Sequence, residues 1–183
     1  STATPCQRLD ERFAVYFLWK TAALSHTICD FPKLFRLGTT GIIAEIEQEL
    51  SIKAGGAKVT VAMTPHAVDM VRGILATGHT FLSREVKVPE LWKTYRELYQ
   101  NEPFVRIVKD AKGLHMLPDT KNVVGSNFCD VGFEVDPHTN RLVTFGAIDN
   151  LLKGAAGQAI QNFNLMIGVN ETTGIRFAGV RPI

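Results

Sequence analysis

The residues of this chain that could do chemistry are three cysteines, a histidine beside a proline, an arginine on an alternating stretch, and the polar opening of a glycine-containing helix. Cys6, Cys29 and Cys129 lie far apart, with no CxxC pair and no His/Cys ligand spacing. The sequence therefore offers neither a structural zinc site nor a disulfide framework. A thiol becomes a nucleophile once a cationic neighbour or a base lowers its pKa. Cys6 is the candidate for that role, against a reading as a free thiol near a terminus. Cys29 follows His26 at a spacing that sets thiol and imidazole on one helical face. Cys129 sits in an apolar run and reads as a small buried hydrophobe. His66 follows Thr64-Pro65 at a strand end, where it is either a ligand-binding side chain or a turn histidine bonded to backbone. Arg72 alternates with apolar neighbours. Its planar fork suits a carboxylate or a phosphate, and a surface salt bridge is the alternative.

A small set of elements must place these groups. Ala44 to Leu50 reads as a short helix ended by Ala54-Gly55-Gly56, with Glu45, Glu47 and Glu49 as its charged face. Lys58 to Met63 alternates strictly, with Val59, Val61 and Met63 on one side, and predicts a strand stopped by Thr64-Pro65. Met70 to Leu82 is β-branched and apolar and predicts a long strand with bulges at Gly73 and Gly78. Pro89 opens a helix to about Gln100, with Val88, Leu91, Trp92, Tyr95 and Leu98 on its stripe. Phe104 to Val108 predicts a short strand. Asn122–Val135 and Arg141–Ile148 flank the turn formers Asp136 to Asn140 and predict a β-hairpin.

The last helix starts at Asp149 or Asn150, either of which can cap it, and runs to Gly168. Gly154 and Gly157 inside it cost about 1–2 kcal/mol against alanine, which close approach to another backbone or to a ligand would offset. Phe13 to Trp19 is either strand or helix. The assembled order predicts an α+β fold: a mixed, largely antiparallel sheet with helices on one face.

Composition narrows the function classes. At 45% hydrophobic and 21% charged residues the chain has globular composition, which excludes collagen-like, disordered and mucin-like classes. Its basic residues are scattered and its formal charge is only +2, so neither nucleic acid nor a membrane surface is an expected partner. Phe13 to Trp19 is too short to span a bilayer, and Ser1 to Pro5 lacks a signal-like basic and apolar core. Cytoplasm is the expected compartment, with an organelle open if a transit segment was removed.

Several stretches then come in order: Glu45-Ile46-Glu47-Gln48-Glu49-Leu50; Thr64-Pro65-His66 with Met70 to Thr77; Gly125-Ser126-Asn127-Phe128-Cys129-Asp130; Ala147 to Ala159 with Gln161-Asn162; and Glu171-Thr172-Thr173-Gly174. Over about residues 39–183 they resemble the N-acetyl-gamma-glutamyl-phosphate reductases. That family reduces an acyl phosphate to a semialdehyde with NADPH, using a cysteine thiolate and a histidine. Its architecture is like that of glyceraldehyde-3-phosphate dehydrogenase: a Rossmann domain, and a sheet-rich domain for substrate and oligomer contacts. The resemblance implies NADP contacts at Asn150, Lys153, Gly154 and Gly157, with Asn150 at the nicotinamide carboxamide. It implies contacts to a small-molecule acyl phosphate at His66, Arg72 and Asn127. It also implies a homo-oligomer, or pairing with a nucleotide-binding domain. An aspartyl or aminoadipyl phosphate is the alternative substrate, discriminated by Arg72 and Gly125-Ser126-Asn127.

Parts of the family pattern are missing from the sequence. There is no GxGxxG, no Gly-Asn-Pro-Gly-Cys motif around a cysteine, and no His-Arg-His before the Glu-Ile-Glu-Gln stretch, where the chain reads Gly41-Ile42-Ile43-Ala44. Residues 1–37 stay unassigned, and residues 38–183 form the expected substrate and dimerisation domain. The chain is therefore expected either to be part of a reductase that is not competent alone, or a non-catalytic dimerisation module derived from one. In both cases the last helix should expose an apolar stripe.

Overall fold

A computed structural model describes residues 41–66, 68–108 and 117–180. Cys6, the His26–Cys29 pair and Phe13 to Trp19 lie outside the described residues. The first described helix, α1 (Gly41–Lys53), buries Ile46 and Leu50 and turns off at Gly55 and Gly56, whose φ values of 68° and 92° favour glycine.

The next segment departs from expectation. Lys58 to Met63 is extended, and its burial alternates as the sequence predicts, yet it joins no ladder among the described residues. Instead the Val59 and Val61 N–H groups donate to Ser51 Oγ at 3.1 Å and Glu47 Oε1 at 2.9 Å. Side chains of α1 thus do the work of a neighbouring strand, and Glu47 is more than part of a charged face.

Four strands form the sheet: β1 (Ile74–Phe81), β2 (Val105–Ile107), β3 (Cys129–Asp136) and β4 (Arg141–Ile148), in the order β1-β4-β3-β2. The pairs β1/β4 and β3/β4 are antiparallel and β2/β3 is parallel, so the sheet is mixed and largely antiparallel as expected. Strand β1 is shorter than the Met70–Leu82 run because Gly73, at φ 116°, breaks the extended backbone just before it. Strand β3 starts at Cys129 rather than Asn122. Residues ahead of it form a 3-10 turn, Thr120–Asn122, capped by Asp119 on the Lys121 N–H. The hairpin turn follows expectation: Asp136 accepts from the His138 N–H and the Thr139 hydroxyl, and Asn140 takes φ 49°.

Residues paired across a ladder share a face, so Cys129, Val131 and Phe133 lie with Leu142 and Ile148. Helix α2 (Val88–Tyr99) packs on that face through Leu91 and Tyr95, and Trp92 stacks on Phe133 at 4.4 Å. The other face is different. Leu75 and Phe81 are 51% and 72% exposed there, beside the half-buried Val143 and Phe145. No helix among the described residues is long and apolar enough to cross a membrane.

Candidate functional site

The site forms where β4 ends. Asp149 follows the last strand residue, fully buried, and its two oxygens divide the work. Oδ1 accepts from the Leu151 and Leu152 N–H groups at 2.8 and 3.3 Å, capping the helix. Oδ2 accepts from the Gly125 N–H at 2.6 Å and pairs with an Arg72 terminal nitrogen at 2.7 Å. Burial pushes the Asp149 carboxyl up. The Gly125 N–H, Arg72 and the Leu151 N–H outweigh it and hold the carboxyl below the usual value.

Of the two cap candidates, Asp149 is therefore the cap. Asn150 ties the site to β1 instead, its Oδ1 accepting the Gly73 N–H at 2.7 Å. Arg72 is 29% exposed, and its Nε is buried with no hydrogen-bond partner among the described residues. Asn150 and Arg72 thus meet at one corner through Gly73 and Asp149.

The helix opens with a π turn, Leu152–Ala156, whose Gly154 and Ala156 N–H groups reach the carbonyls of Asp149 and Leu151. Helix α3 (Gly157–Met166) continues from it. A π turn absorbs an extra residue, so positions eight apart across it align as positions seven apart would in an ordinary helix. Lys153 and Gln161 consequently face the same way, with Nζ 2.7 Å from Oε1. Lys153 is 6% exposed, and its ammonium lies 5.5 Å from the centre of the Phe104 ring. Burial lowers its pKa against weaker opposing pulls from Cys129, Glu171 and Glu102.

Asn127 completes this interior cluster. It is fully buried, and its Nδ2 donates to Gln161 Oε1 at 3.3 Å. Its Oδ1 has no hydrogen-bond partner among the described residues and lies against Gly157, where a Cβ would overlap it. Gly157 therefore answers the question its sequence position raised: the close approach is to the Asn127 side chain. Gln161 Nε2 donates onward to Glu171 Oε2 at 2.7 Å, and Asn164 Nδ2 donates to the Glu171 and Thr173 carbonyls.

The remaining residues stand apart. His66 is exposed, with Nδ1 3.1 Å from the Thr64 carbonyl oxygen, the turn geometry. Cys129 is buried and its thiol is pushed up to about 12, chiefly by burial, so it stays protonated at neutral pH. Among the described residues no group of three or more His, Cys, Asp or Glu could hold a metal. Sequence reading left Gln161, Asn164 and Glu171 without a role. The signal was there: two amides at i and i+3 on one helix face, with a carboxylate just beyond the helix end.

The family described as semialdehyde dehydrogenase, dimerisation domain, matches residues 32–150. A LysW-L-2-aminoadipate/LysW-L-glutamate phosphate reductase of Saccharolobus solfataricus is 48% identical over 139 residues, covering 76% of this chain and 39% of that protein. A relative in Cenarchaeum symbiosum, named for the same activity, is 57% identical over 139 residues, 76% of this chain and 40% of its own. The chain thus spans about two fifths of the length of the curated relatives it matches. Two solved structures share the fold. An aspartate semialdehyde dehydrogenase from Francisella tularensis has TM-score 0.54 at 17% identity, over 71% of this chain and 36% of that one. Aspartate semialdehyde dehydrogenase II from Vibrio cholerae has TM-score 0.56 at 16% identity, over 87% and 49%. By its matched residues and its fold, the chain belongs to the semialdehyde dehydrogenase family through that family's dimerisation domain.

Proposed function

We propose that residues 38–183 are the substrate-binding and dimerisation part of an NADP-dependent acyl-phosphate reductase, acting on a LysW-linked aminoadipyl or glutamyl phosphate. The relatives' names support this substrate over the free N-acetylglutamyl phosphate of arginine synthesis. The reaction consumes an acyl phosphate, a hydride and a proton, and yields a semialdehyde and inorganic phosphate. NADPH supplies the hydride when bound.

The observation that carries the reading is Arg72. One terminal nitrogen is fixed on Asp149, while Nε is buried without a hydrogen-bond partner among the described residues. The Arg72 side chain is still 29% exposed, and a phosphate or carboxylate oxygen that reaches its guanidinium fork would supply a further acceptor. The expected dinucleotide contacts divide in two. Asn150 and Gly154 are half-buried and accessible, whereas Lys153 and Gly157 are buried and would act through the interior cluster.

A phosphonate analogue of aminoadipyl phosphate should bind the chain, and Arg72→Met should weaken it by about tenfold or more, for loss of a charge-assisted bond. Equal binding to both proteins in a calorimetric titration would refute the assignment.

Two apolar surfaces fit the partners expected. Leu75 and Phe81 expose a sheet face suited to a second copy. Ile160, Phe163 and Ile167, at 44%, 57% and 54% exposure, line the last helix and its end, as expected of a surface that meets a nucleotide-binding domain. Leu75→Glu should turn a dimer into a monomer in sedimentation velocity. An unchanged sedimentation coefficient would place the self-association elsewhere.

A further inference from the structure

We propose that Gln161 is a positioning residue, a two-ended amide that joins the Lys153 ammonium to the Glu171 carboxylate and so fixes the entrance of α3 against the C-terminal turn. The inference rests on the proposed function only in treating α3 as the element that faces a nucleotide-binding domain.

The geometry is that of a relay. Gln161 Oε1 accepts from Lys153 Nζ at 2.7 Å and from Asn127 Nδ2 at 3.3 Å, while Nε2 donates to Glu171 Oε2 at 2.7 Å. An amide can accept at one end and donate at the other, which neither a carboxylate nor an apolar side chain does. Among the described residues Lys153 makes no ion pair, so its buried charge meets Glu171 through this amide. Both bonds of the relay are charge-assisted and hence short and directional. Asn164 adds a second tie, its Nδ2 holding the Glu171 and Thr173 carbonyls at 3.2 and 2.9 Å.

Three stretches of the chain therefore meet on one side chain: the distant loop before β3, the π turn, and the turn after α3. The helix has the opposite character on its other side, where Ile160 and Phe163 are exposed. An apolar face can slide, because burial is non-directional. The polar face cannot, because each bond has a fixed length and direction. Gln161 thus sets the height of Asn150 and Gly154 relative to the sheet, which carries Arg72 at its β1 end.

The test uses the full chain and a soluble amine-reactive ester, with modification read per lysine by peptide mass spectrometry. Lys93, 74% exposed, is the internal reference. Lys153 should react at least about tenfold more slowly than Lys93, since its reaction requires local opening. Gln161→Glu keeps the shape but sets two carboxylates against each other, and should raise the Lys153 rate by about tenfold. Adding Glu171→Gln restores a donor–acceptor pair, with the carboxylate now beside Lys153, and should return the rate to within about threefold of the original.

A merely space-filling Gln161 would show no such rescue, because the second change would leave the first defect in place or worsen it. Lys153 reacting like Lys93 in the unaltered chain, or a double variant no better than Gln161→Glu alone, would overturn the proposal. Should Gln161→Glu fail to fold, a folded and protected double variant decides in favour and an unfolded one against. Rescue without analogue binding would leave the relay standing and remove only the proposed function.

Discussion

Replacing Asp149 with alanine is expected to lower the unfolding free energy by about 3–5 kcal/mol, the range for leaving one member of a buried ion pair without the other. The side chain is fully buried and serves four donors: the N–H groups of Gly125, Leu151 and Leu152, and the Arg72 guanidinium. Its loss uncaps the π turn, frees the loop before β3, and leaves Arg72 with a second unmet donor beside Nε. Asp149→Asn should also be damaging, since an amide NH2 in place of Oδ2 would face two donors.

The pH dependence provides an independent check. The folded carboxyl lies below its usual 3.8, so its contribution is present above about pH 4, the unfolded value, and is lost as pH falls through the folded one. Urea melts of the two proteins should therefore differ most near neutrality and converge in acid. A gap that stayed constant down through that range would show that the carboxylate charge is not what the site uses.

Gly157→Ala is the second large effect. An added Cβ would overlap Asn127 Oδ1 and come within 2.9 Å of the Leu152 carbonyl oxygen, a backbone atom of the π turn. Neither neighbour can yield cheaply: Asn127 is fully buried and bonded to Gln161, and moving Leu152 unwinds the turn. Overpacking at such a position costs about 3 kcal/mol. Gly168→Ala is the contrast, because nothing lies within 4 Å of its Cβ position and only its φ of 75° opposes the change. That variant should lose about 1 kcal/mol. Pairing Gly157→Ala with Asn127→Ala should recover part of the loss in a double-mutant cycle. Strict additivity would mean that the Leu152 carbonyl, rather than the asparagine, is the obstacle.

Parts of this molecule could be read directly from its residues. The hairpin was legible because Asp136 to Asn140 carry their own turn chemistry: a side chain that satisfies local N–H groups and an asparagine that tolerates positive φ. Helix α2 was legible because Pro89 starts it and one stripe of apolar side chains buries it. The segment from Lys58 to Met63 shows the limit of such patterns. Alternation reports which side chains are buried, not what the backbone bonds to, and here the backbone bonds to Glu47 and Ser51.

The site was half legible for a similar reason. Arg72 stood out as a fork among apolar residues, and its partner was adjacent to the predicted helix start. The π turn was not visible, because an extra residue in a helix leaves no mark on composition. It brings Lys153 into line with Gln161, a contact that an unbroken 3.6-residue period would set askew. Asn127 lies well upstream of Gly157, and only the folded chain shows that one explains the other.

The strand order has a consequence for the chain as it is made. β1 is bonded in the sheet to β4, the last strand in sequence, while β3 and β4 close on each other through a short turn. During synthesis from the N-terminus, β1 therefore emerges long before its partner and stays unpaired until Ile148 has left the ribosome. The local hairpin is the natural nucleus, and β1 then docks at the cost of closing a long loop. Until it docks, Leu75 and Phe81 sit on an open edge that another nascent chain could pair with. A pause in translation that holds Ile148 inside the ribosome would lengthen that exposure, and one after Ile148 has emerged would not.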